Sequence, residues 1–151
     1  MSTTTSSIAS ILNSLVEICK DGEQGFRAAA DGVKDADLKT FFHESSVQRG
    51  QFKNELQVLV NSLGEETEHS GSIAGSLHRG WIDIRAAMTH GDEHAILEEC
   101  ERGEDSAVAE YRDALGHEEL PVEIRNVIAR QYPAVQASHD RVKALRDRTA
   151  E

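Results

Sequence analysis

Prolines are almost missing from this chain: only Pro121 and Pro133 interrupt 151 residues. Aromatic residues make up 5%. An all-β fold needs β-formers and turn punctuation, so both shortages argue against one. Cysteine is limited to Cys19 and Cys100, too few for a disulfide framework. They have no Cys-x-x-Cys partner and read as small core residues rather than nucleophiles. No apolar run approaches the roughly 20 residues that span a bilayer. The opening MSTTTSS lacks the basic and apolar regions of a signal peptide. Positive charge is the minority, 16 Lys+Arg against 27 Asp+Glu, for a net charge of −11. Such a chain repels phosphate backbones and anionic lipid, so neither nucleic acid nor membrane is an expected partner. A cytoplasmic protein is expected.

What the sequence does have is helical periodicity. Ile8, Ile11/Leu12, Leu15, Ile18/Cys19, Phe26, Ala29 and Val33 recur at spacings of three and four, the mark of one buried helix face. Residues 1–7 are expected to be a disordered N-terminus, with Ser6 or Ser7 capping the helix start. The domain is expected to span 8–148. A second stripe comprises Leu38, Phe41/Phe42, Ser45, Gln48, Phe52, Leu56, Leu59 and Leu63. Asp35 or Asp37 offers a cap, and Gly64 offers a C′ stop. A short helix over about Ile73–Thr89 carries Leu77, Trp81, Ile84 and Met88, with Gly91 ending it. Asp92 then caps a helix with its stripe at Ile96/Leu97, Cys100, Glu104, Ala107/Val108, Tyr111 and Leu115, closed by Gly116. Pro121 suits the first position of the last helix. That helix carries Ile124, Val127/Ile128, Gln131, Ala134/Val135, Ser138, Val142 and Leu145, and Pro133 within it should bend it or remove one hydrogen bond. The economical fold is an all-α four-helix bundle of two antiparallel hairpins, with the short helix in the crossover.

Polar residues interrupt these stripes. Glu23 borders the first, Ser45 and Gln48 lie in the second with Glu44 beside them, and Glu104 lies squarely on its own. His139 lies between Val135 and Val142. If the crossover makes the second and penultimate helices parallel, Glu23 and Glu104 each lie ~16 Å from one end at 1.5 Å per residue. Gln48 and His139 then fall within roughly 6 Å of that level. Carboxylates and imidazole converging in a bundle centre are what a metal pair requires. Glu23, Glu104 and His139, with Glu44 or Gln48 completing the shell, are therefore candidate ligands for iron, manganese or zinc. The competing expectation is a satisfied polar layer that sets helix register. The acidic stretch Glu98–Asp105 reads as a solvated face with room for weak cation binding.

The segment GSLHRGWIDIRAAMTHGDEHAILEECERGEDSAVAEYRDAL, from Gly75 to Leu115, resembles a ferritin-like four-helix-bundle family of unknown function, common in proteobacteria. The opening LNSLVEICKDGEQGFRAAAD and closing LPVEIRNVIARQYPAVQASHDRVKALRD resemble it too. The resemblance implies a ferritin-like bundle in a bacterial, cytoplasmic protein, and brings no activity with it. Di-metal sites on this fold use two Glu-x-x-His motifs. Here the matching positions read Glu44-Ser-Ser-Val47 and Gln136-Ala-Ser-His139. The expected function is a non-catalytic binding or structural module, one that could serve a stress response, acting on a protein partner or a second copy. The alternative is metal binding at the bundle centre.

Overall fold

Helix boundaries fall where side chains or glycine can satisfy the free backbone groups at helix ends. In the computed structural model, residues 2–64, 81, 84–90 and 92–149 are described. They form α1 (Ser2–Gly32), α2 (Ala36–Ser62), the short α3 (Ile84–His90), α4 (Glu93–Leu115) and α5 (Val122–Thr149). Asp35 caps α2, its Oδ1 accepting from the Asp37 and Leu38 amides at 2.9 and 3.0 Å. Asp92 caps α4 in the same way through His94 and Ala95. Gly64, at φ 80°, follows the Leu63 cap of α2 and supplies the left-handed stop.

Three boundaries differ from the sequence expectation. The first helix begins at Ser2, ahead of Ile8, which places Ser6 and Ser7 inside it rather than at its cap. No proline or glycine stands there to stop the hydrogen-bond ladder from extending backward. Pro121 precedes α5, its carbonyl accepting from the Arg125 amide at 2.9 Å, so it holds the capping position rather than the first helical one. α5 continues through Pro133, which lies inside the helix as the sequence places it. Of the short helix expected over about 73–89, the described helical part begins at Ile84, and Trp81, expected inside it, lies outside the helix; Leu77 and Gly91 lie outside the described residues.

α1 and α2 form one antiparallel hairpin and α4 and α5 the other, with α1 packed on α4 and α3 lodged against both. The Asp35 amide donates to Glu93 at the start of α4, so α2 and α4 begin at the same end and run parallel. These two helices face each other across the bundle's diagonal.

The core is in two parts. Leu12, Leu15, Leu56, Tyr111, Ile128 and Val135 anchor one cluster. Phe26, Phe42, Trp81, Ile96, Leu97 and Val142 anchor the other. Phe26 is the hub of the second. Its ring packs edge-on to Trp81 at 5.2 Å and stacks on Phe42 at 6.0 Å. Trp81 fits because Gly25 of α1 and Gly103 of α4 present bare backbone to its indole, and a Cβ at either would overlap the ring. Gly25→Ala and Gly103→Ala should each lower the unfolding temperature. Overpacking costs of about 1–3 kcal/mol set against roughly 1 kcal/mol of helix propensity gained. Trp81 emission, the only tryptophan signal, should shift to the red. Unchanged emission in both variants would show that the indole is not held there.

Candidate functional site

Between the two apolar clusters each long helix changes character. α1 offers Glu23, α2 offers Ser45, Ser46 and Arg49, α4 offers Glu104, and α5 offers Ser138 and His139. At the centre of this waist, Arg49 and Glu104 are both buried, at 1% and 0% exposure. Arg49 Nη1 lies 2.6 Å from Glu104 Oε1, and Nη2 donates to Oε2 at 2.8 Å. One contact is a hydrogen bond and the other a close ion contact, so both terminal nitrogens of the guanidinium meet the carboxylate, which the single ammonium of lysine cannot do. Burial disfavours the Arg49 charge, yet the attraction and hydrogen bond of Glu104 outweigh it and hold the guanidinium above its ordinary pKa. The Arg49 guanidinium carbon also lies 5.5 Å from the centre of the Phe26 ring. Gly22 makes room, since a Cβ there would stand 3.2 Å from Arg49 Nη1.

The candidate ligands named from sequence fall into separate settings. Glu104 accepts from Arg49. Glu23 is held by Lys53 at 2.8 Å and by Arg27 at 3.9 Å, and its backbone carbonyl accepts from the Ser46 hydroxyl. Glu44 is exposed and Gln48 is half-buried. His139 stands at the α4–α5 face, with Nε2 2.6 Å from Asp105 and Nδ1 3.1 Å from Asp140. Among the described residues, one trio brings His, Asp and Glu ligand atoms within 4.8 Å of one another: Glu101, Asp105 and His139. It includes His139 but not Glu23, Glu44, Gln48 or Glu104; Glu101 and Asp105 lie in the acidic stretch read from sequence as a solvated face with room for weak cation binding.

Arg49 is what the sequence reading missed. The buried face of α2 runs Leu38, Phe42, Ser45, Ser46, Arg49, Leu56 and Val60. Leu38, Phe42, Ser45 and Leu56 lie inside as expected and Leu59 packs against the core, but Arg49 is inside where Gln48 was expected, and Val60 is buried beside Leu59. A signal existed in the small residues Ser45, Ser46 and Gly50, which leave room around one long side chain. The height estimate was sound for α2 and α4. Arg49, next to Gln48, meets Glu104 at the level that rise per residue gives.

A second polar chain enters the other cluster. The Tyr111 hydroxyl donates to Gln131 Oε1 at 2.6 Å and lies 3.1 Å from Cys19 Sγ. Gln131 Nε2 donates to Glu55 at 2.9 Å, and Glu55 also accepts from Arg130. Burial pushes the Cys19 thiol up to about 11 and raises Cys100 well above its ordinary value. Both are free and buried, so neither is placed or poised as a nucleophile.

The arrangement defines an all-α protein of two packed helical hairpins with a charge-compensated centre. A family model described as a domain of unknown function, DUF2383, matches residues 7–117, and the chain belongs to that family. The match takes in most of α1 and all of α2, α3 and α4, and stops before α5. No curated protein matches the chain.

Two outcomes follow from these contacts. Glu104→Ala leaves a buried guanidinium unpaired and should cost about 3–5 kcal/mol in chemical denaturation, whereas Arg49→Met/Glu104→Leu together should be near neutral or stabilising. A double variant as unstable as Glu104→Ala would contradict this account. For His139, burial lowers the proton affinity, but the hydrogen bonds to Asp140 and Asp105 outweigh it, so the folded pKa is raised. Its contribution to stability is therefore complete below the unfolded pKa of about 6.5 and is lost as pH rises through the folded value. In metal-free protein, the unfolding midpoint of the wild type should fall relative to His139→Gln as pH rises from about 6.5. Parallel pH profiles for the two proteins would remove His139 as the cause.

Proposed function

We propose that this protein is a non-catalytic helical-bundle module that acts through its outer surface, on a protein partner or on a second copy of itself. The observation that carries this reading is the Arg49–Glu104 pair. At the level where a di-metal protein of this architecture would place its bridging carboxylates, Glu104 is neutralised by an arginine instead. The guanidinium occupies the position of a cation and delivers no Lewis acidity and no electrons. The charged layer works as a register device, because sliding either helix by one turn would strand both charges in apolar surroundings. A net charge of −11 favours protein partners over nucleic acid or anionic lipid. Four long helices in two hairpins support a ferritin-like bundle, and the same architecture serves unrelated functions.

Oxygen uptake after adding Fe(II) tests the catalytic alternative, in which the centre binds metal through Glu104 and its neighbours. The rate should equal that of protein-free buffer, with Glu104→Gln no different from wild type. Uptake in proportion to protein, abolished by Glu104→Gln, would overturn the proposal. Sedimentation velocity across protein concentrations then separates self-association from a role that needs another protein.

A further inference from the structure

The face where α4 meets α5 carries a grouping that the core ion pair does not use. Glu101 and Asp105 lie one turn apart on α4, and His139 reaches them from α5. Glu101 and His139 are mostly covered, with side chains 12% and 16% exposed, while Asp105 is 64% exposed. We propose that Glu101, Asp105 and His139 form a binding site for one divalent transition-metal ion, of the Zn(II) class.

Two features of the surroundings support a ligand role. The first is the orientation of the imidazole. A carboxylate only accepts, so Asp140 Oδ1, 3.1 Å from Nδ1, places a proton on that nitrogen. Asp140 is itself steadied by Gln136 Nε2 at 3.0 Å. This carboxylate–imidazole contact is the outer arrangement that metal-bound histidines use, and it directs Nε2 toward the ion. Nε2 is also the nitrogen that faces Asp105. The second feature is charge. The imidazole lies between two aspartates, and Arg146 covers Glu101. When the ion binds, Nε2 gives up any proton it holds to solvent and its lone pair forms the metal–nitrogen bond. One oxygen from each of Glu101 and Asp105 completes a trio whose two negative charges balance the ion. Arg146 is not left unpaired by this exchange, since its Nη2 already lies 2.7 Å from Asp147.

The donor set determines the kind of ion. An imidazole nitrogen with two carboxylates suits Zn(II) and its first-row neighbours, whereas Mg(II) demands oxygen ligands and keeps its waters. The site depends on the α4–α5 surface and not on the Arg49–Glu104 pair, so it stands or falls independently of the function proposed above.

Calorimetric titration of the full chain after chelator treatment tests the proposal, with Zn(II) as probe and Mg(II) as comparison. One Zn(II) per chain should bind saturably, and Mg(II) should not. His139→Gln and Asp105→Asn should weaken Zn(II) binding at least tenfold. Asp140→Asn, which alters only the residue that positions the ring, should weaken it roughly 10- to 100-fold. Asp113→Asn, beside the separate His117 pair, should leave it unchanged. A measurement on unaltered protein makes the test independent of variant folding: in 15N spectra, Zn(II) should move the Nε2 signal of His139. The proposal is overturned by absence of saturable Zn(II) binding. It is equally overturned by affinity that survives both His139→Gln and Asp105→Asn, or by a shift confined to another histidine.

Discussion

An arginine and a glutamate removed from water at the centre of a helical bundle constrain everything placed around them. Taking either charge out of water costs several kcal/mol, and only close paired geometry recovers it. Arg49 and Glu104 achieve that geometry across the diagonal, between helices that are not neighbours in the bundle. The span calls for a long side chain with a rigid fork, which explains arginine on α2. It also calls for room beside the intervening helix, which explains Gly22 on α1. With the pair in place, the relative heights of α2 and α4 are fixed, and their hairpin partners follow.

This layer divides the core into two apolar clusters with different contents. One is aliphatic around a hydrogen-bonded Tyr111–Gln131 pair. The other is aromatic, with Phe26 at its hub and Trp81 supplied by the segment before α3. The glycines that admit Trp81 lie on α1 and α4, one in each hairpin, so the indole joins the hairpins where their backbones come close. Arg49 touches both the charged layer and the aromatic cluster through its contact with Phe26. A change in the charged layer is thereby felt in the aromatic half.

Much of the fold was legible because its signals are local. Asp35, Asp92 and Gly64 act on backbone groups within a few residues of themselves, so their capping roles follow from sequence alone. The stripes of α4 and α5 were read correctly, down to Glu104 and Gln131, because one apolar face per helix leaves little ambiguity of phase. The stripe of α2 was read correctly at Leu38, Phe42, Ser45 and Leu56 and missed at its centre, because the inward residue there is an arginine. Periodicity scores an arginine as surface, and only its partner, 55 positions away, makes it interior. Trp81 was expected on a helical stripe, whereas it lies ahead of α3 and outside the helix, and its seat between two distant glycines was not read. The α4–α5 cluster was half visible. His139 was singled out, whereas Glu101 and Asp105 lay in an acidic run whose default interpretation is solvation.

The two cysteines are divided by the charged layer. Cys19 belongs to the aliphatic cluster and Cys100 to the aromatic one, and both thiols are shielded from solvent. A shielded thiol reacts with an alkylating reagent only when its surroundings open. The protein therefore carries two built-in clocks, one in each half of the core. Their rates under native conditions record whether the halves breathe together or one at a time. Coincident rates describe a single cooperative unit. Separated rates identify the half that loosens first, and with it the end of the bundle that is remodelled most readily.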